Sequence, residues 1–145
     1  MARSDAEVVE AAFEALAERG VEGMLEFVHE RFEMATPPEL ASEPDTYRGH
    51  DGVRRWFESF YEAVDELRLE LVRIEQRGGE VAIAVRMVAR GRSTGLESGQ
   101  DAGALGTVAD EKVTSLRFFP TWDEALEAAD AADQPAGRIQ RPPSG

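Results

Sequence analysis

A carboxylate, a guanidinium and a phenol carry the chemistry that this sequence could perform. Asp101 lies in a stretch punctuated by Gly95, Gly99, Gly103 and Gly106, and Arg86 lies in the apolar segment before it. Buried side by side, they would make an ionised, oriented carboxylate able to take a proton from a carbon or hydroxyl of a substrate. Tyr47, just ahead of Arg48-Gly49, could supply a hydroxyl at the mouth of such a site. A second reading of Asp101 stays open. Glycine within a strand marks bulges and close backbone approaches, so the carboxylate could equally sit at a bulge and face water.

Other chemistries are excluded or left without support. There is no cysteine, hence no disulfide, thiolate nucleophile or thiolate metal site. His29 stands beside Glu30 and Arg31 as a helix-end histidine, and His50 stands in a loop that opens a helix, as a cap or at a pocket mouth. The two are far apart and lack the spacing of ligands on one face, so no metal is expected, and no cofactor either. Gly49-His50-Asp51-Gly52 precedes a helix but matches no phosphate loop; Asp51 would repel an anion and suits an N-cap. The glycines from Gly95 to Gly106 lack the strand-turn-helix setting of a dinucleotide site. The net charge of −13 argues against nucleic acid and anionic membranes as partners. No apolar run approaches the roughly 18 residues that cross a bilayer, and cytoplasm is the expected location.

The positioning elements follow from periodicity. Ser4 with Glu7 is a capping-box pattern, and Val9, Ala12, Phe13 and Leu16 recur at helical spacing, which predicts a helix near 5–19 with Gly20 as its stop. Val21, Met24, Leu25 and Val28 repeat that spacing in a shorter second helix. Residues 31–36 suggest a brief strand ended by Pro37-Pro38. Val53, Trp56, Phe57, Phe60 and Val64 form the apolar stripe of a third helix opening at Gly49. Leu67, Leu69 and Leu71 alternate as a strand, and Val72 and Ile74 continue on the other parity, which predicts a β-bulge. Gly78-Gly79 makes a hairpin turn into 81–91, 95–109 is a glycine-weakened strand, and Asp110-Glu111-Lys112 turns into a last strand, 113–119. Thr121 with Glu124 opens a short helix near 122–132. One domain over 1–133 is expected, followed by a tail, 134–145, poor in apolar residues and expected to be disordered.

Helix, helix, short strand, helix and four long antiparallel strands, with Tyr47-Arg48-Gly49-His50-Asp51-Gly52-Val53-Arg54-Arg55-Trp56-Phe57 at the turn into the third helix, resemble the nuclear-transport-factor-2-like superfamily. Within it the chain resembles the SnoaL-like branch. Pro37-Pro38-Glu39-Leu40 and the closing Asp123-Glu124-Ala125-Leu126-Glu127-Ala128-Ala129 support this. The resemblance implies an α+β cone: three N-terminal helices on a curved, mostly antiparallel sheet, a short C-terminal helix, a pocket inside and a homodimer built on the outer sheet face. Aligned to the ketosteroid isomerases of that superfamily, the oxyanion tyrosine falls on Phe13, the base on Thr36 and the second acid on Gly103, so that activity is not expected. The alignment turns Gly103 inward, and with it Asp101, Arg86, Val88 and Arg90.

Two functions follow. One is a pocket for a small apolar molecule with a polar end (a polyketide, terpenoid or steroid-like compound). Its walls would be Phe13, Met34, Trp56, Phe60, Val88, Leu116 and Phe118, with Asp101 as base, Arg86 as its partner and Tyr47 as donor in cofactor-free isomerase or cyclase chemistry. An epoxide-hydrolase reading needs a second inward aspartate, which is not apparent. The other function is a non-catalytic dimeric binding or scaffolding module, its cavity filled by side chains.

Overall fold

The computed structural model describes residues 3–35, 46–61 and 64–132. Thr36, the Pro37–Leu40 segment and the 134–145 tail lie outside them. Helix α1 (Asp5–Met24) starts where the sequence predicts: Ser4 Oγ accepts from the Glu7 amide, and Glu7 returns its carboxylate to the Ser4 amide at 2.8 Å. Both expected N-terminal helices lie within α1, separated at Gly20, whose φ of 75° and ψ of −167° interrupt the helix and are open to glycine and costly for other residues. A 3-10 turn (Leu25–Phe27) leads into β1 (Val28–Ala35). The strand therefore begins at Val28, a residue read as helical from its spacing. A short strand without a sequence signal, β2 (Thr46–Arg48), precedes α2 (Gly49–Tyr61). Asp51 lies in the first turn of α2, bonded to Arg54 at 2.7 Å, instead of capping it.

Strands β3 (Val64–Arg77), β4 (Glu80–Gly91), β5 (Glu97–Ala109) and β6 (Lys112–Phe119) follow, then α3 (Trp122–Ala132). All six strands form one sheet in the order β2-β1-β6-β5-β4-β3, antiparallel except for β1 against β6. The pairing of β3 with β4 shifts between Leu71 and Arg73, which is the predicted bulge and leaves Val72 exposed. The glycine-rich β5 pairs with β4 without a shift from Glu97 to Gly106. Its glycines mark close approaches: a Cβ on Gly103 would strike the Thr121 carbonyl at the start of α3.

The sheet has two faces with different burdens. Val81, Ile83, Val85 and Met87 of β4 join Ala102 and Ala104 of β5 and Leu116 and Phe118 of β6 beneath α1 and α2, making the main core. Ala82 and Leu105 point the other way, under Ala125 and Ala129 of α3. Small residues on both sides let α3 lie close, and Thr121 accepts from the Glu124 amide at 3.1 Å to start it.

Candidate functional site

The concave side of the sheet, closed by α1 and α2, is where a ligand would sit. Residues at helical spacing on α1 (Val9, Ala12, Phe13) and α2 (Val53, Trp56, Phe57) meet alternating residues of β1, β3 and β6 there. Trp56, 1% exposed, anchors the group: its ring stacks on Phe118 at 5.6 Å with the planes 4° apart, and Phe57 and Phe60 meet it edge-on at 5.0 and 4.8 Å. The space left between these side chains is about 30 Å³ and has no polar surface among the described residues. That is room for roughly one or two water-sized groups, and an apolar hollow of this kind stays dry.

Phe13, Met34, Trp56, Leu116 and Phe118 of the expected walls surround this cavity. Phe60 packs against Trp56 behind it. Val9, Met24, Phe32, Phe57 and Leu69 line it as well. Their helical or strand spacing marked several of them as core, but gave no sign that they share one hollow. Tyr47 is buried in β2 opposite Met34 and does not border the cavity; the Arg55 guanidinium covers its ring at 5.2 Å.

Asp101 and Arg86 do pair, as the hairpin register suggests, with Arg86 Nη1 donating to Asp101 Oδ1 at 2.9 Å. They do so on the convex face. Asp101 shares its face with Gly103 and Leu105 beneath α3, and Arg86 shares its face with Ala82. The inward placement of Asp101, Arg86, Val88 and Arg90 is therefore corrected. The bulky odd-numbered residues of β4 fill the core beneath α1 and α2, so the even-numbered ones must point away. The pair is wet, 80% exposed at Asp101 and 45% at Arg86. Val88 is buried on that same convex face, between the guanidinium-bearing neighbours of its own strand.

The histidines take structural parts. His50 Nε2 donates to the Val28 carbonyl at 2.8 Å and ties the start of α2 to β1, while His29 Nδ1 accepts from the Arg31 amide at 3.0 Å. No group of three or more metal-ligating side chains occurs among the described residues. None of the described helices is long and apolar enough to cross a membrane. A fork between Arg54 and Glu22, at 2.8 and 2.9 Å, fastens α2 to the segment after the Gly20 bend. That hydrogen bond holds the Glu22 carboxyl below its ordinary value.

Residues 9–116 match the family model of the SnoaL-like domain. The chain belongs to the SnoaL-like domain family. Solved structures of the same fold include an NTF2-like protein of Burkholderia thailandensis E264, 22% identical, with a TM-score of 0.71 over 92% of this chain and 99% of that one. TerC, co-crystallised with polyporic acid, is 19% identical, with a TM-score of 0.69 over 86% and 96% of the two chains. A provisionally named SnoaL-like polyketide cyclase of Jannaschia sp. CCS1 is 16% identical, with a TM-score of 0.62 over 93% and 99%. At these identities the likeness is one of fold. No curated protein matches the sequence.

Proposed function

We propose that this SnoaL-like protein is a non-catalytic binding module, cytoplasmic and dimeric, that takes the apolar part of a small molecule against its concave side, the walls spreading beyond the roughly 30 Å³ they leave free to admit it. One observation supports the reading: the space under α1 and α2 presents no polar surface among the described residues, and none of its described lining residues is an acid or a base. A ligand held there binds by apolar contact, and its polar end stays outside the cone. The convex face supports the homodimer, since Arg68, Arg86 and Arg90 alternate there with Glu66, Glu97 and Asp101, a mixed pattern that a two-fold related copy can meet.

Trp122→Phe leaves Trp56, at the centre of the cone, as the sole tryptophan. Iodobenzene, an apolar heavy-atom quencher, is expected to quench its emission saturably, with the same midpoint in an Asp101→Asn background. Absence of saturable quenching would remove the binding reading. Turnover of any member of a panel of enolisable ketones, lost in Asp101→Asn, would restore the acid/base reading in its place.

A further inference from the structure

Outside the cone, α1, α2 and the free edge of β3 enclose a groove of about 410 Å³. Leu16, Val21, Phe57, Leu67 and Leu69 give it apolar walls. A second hollow of about 260 Å³ adjoins it along α1, the two sharing Ala17, Leu69 and Glu70. The groove stays open because α1 offers it small residues: Ala17 has only a methyl group, and a Cβ on Gly20 would meet nothing within 4 Å. β3 ends the sheet, and no further strand among the described residues covers this side. The volume falls in the range of small-molecule sites, which the 30 Å³ of the inner cavity does not.

The charge on the rim is one-sided. Glu10 and Glu14 border the smaller hollow, Glu66 and Glu70 the larger, and Arg68 is the cation among these lining residues. Arg68 is already engaged by Glu66, Glu70 and Glu97 at 3.4, 3.5 and 3.6 Å. Glu10 and Glu14 stand one helical turn apart as like charges, a repulsion that a cation between them would relieve. Tyr61 also lines the larger groove. Phe13 and Leu69 line both the smaller hollow and the inner cavity, and Phe57 lines both the larger groove and the inner cavity, so a chain lying in the groove abuts the walls of the cone.

We propose that this groove is a binding site for an amphiphilic ammonium compound, its alkyl part on Leu16, Leu67 and Leu69 and its cationic head at Glu10 and Glu14. The inference rests on the binding-module reading and extends it to a second site, outside the cone, with a stated ligand class. Neutral chains lack the ionic contact, and carboxylate amphiphiles are repelled by the rim.

The test is calorimetric titration with octan-1-amine, octan-1-ol and octanoate on the full chain. The amine is expected to bind with one-to-one stoichiometry and at least about tenfold more tightly than the alcohol, with octanoate silent. The preference should shrink at about 1 M salt, where the Debye length falls to roughly 3 Å. Glu10→Gln with Glu14→Gln should bring amine and alcohol to near parity, and Ala17→Leu, which fills the groove, should abolish both. Equal binding of amine and alcohol by the unaltered protein overturns the ligand class. An amine preference unchanged in the double variant, or binding unchanged in Ala17→Leu, overturns the site. If the amine does not bind while iodobenzene still quenches Trp56, the groove proposal falls and the binding-module reading stands; if neither binds, both fall.

Discussion

Phe13→Ala removes the ring that stands between the inner cavity and the groove beside α1. The ring is 5% exposed and lines both spaces. Truncating a buried phenylalanine costs about 3–5 kcal/mol, part lost transfer energy and part the hollow left behind. Here the hollow opens towards solvent, so water fills some of it and the loss should lie at the lower end, about 3 kcal/mol. For a chain of this size that lowers the melting temperature by roughly 6–12 °C. Urea unfolding followed by far-ultraviolet circular dichroism measures it directly, with the midpoint falling at an unchanged slope. In the single-tryptophan background the same substitution should tighten iodobenzene quenching of Trp56, because it enlarges the apolar space beside that ring. A loss below about 1 kcal/mol with the slope unchanged would show that Phe13 is not packed as described. Weaker quenching would show that the inner cavity and the groove do not share this wall.

Three further outcomes are expected. Gly103→Ala sets a Cβ 2.9 Å from the Thr121 carbonyl carbon and 3.0 Å from Ala125, so α3 must shift; a cost of about 1–3 kcal/mol is expected, with Trp122 emission moving to the red. Asp110 and Glu111 hold φ of 55° and 60° at the tip of the β5–β6 hairpin, so replacing them by Asn-Gly should raise stability by roughly 0.5–1 kcal/mol in urea unfolding. The hydrogen bond from Arg54 lowers the Glu22 pKa below its ordinary 4.5 in the folded protein. Its contribution is therefore present above pH 4.5 and lost as the pH falls through the lower folded value. The stability gap between the protein and Arg54→Gln should close on acidification, and a gap that widens would refute the assignment.

The order of elements was legible because each carries its own local signature. The Ser4–Glu7 box, the parity change after Leu71 and the Gly78-Gly79 turn appear where their residue types require them. β2 was not legible: three residues are too few to show a period, and only pairing with β1 makes Thr46–Arg48 a strand. The break at Gly20 was legible as well, since a glycine after the last periodic residue marks where helical dihedrals stop.

The candidate site divides along the same line. Alternation alone determined that Asp101 shares a face with Gly103 and that Arg86 lies within reach of it, because neighbours on a strand point in opposite directions and hairpin pairing sets the register. Which face meets the helices was decided by the tertiary structure. Both parities of β4 are apolar through its middle, since Val81, Ile83 and Val85 fill the cone while Ala82 receives α3 from behind. Two nearly equivalent patterns leave the direction open until bulk is placed, and bulky side chains go where α1 and α2 leave depth for them. The groove beside α1 is likewise a tertiary result: Leu69 lies some fifty residues beyond Glu10, Ala17 and Gly20 of α1, and only the docking of α1 against the edge of β3 makes them one surface.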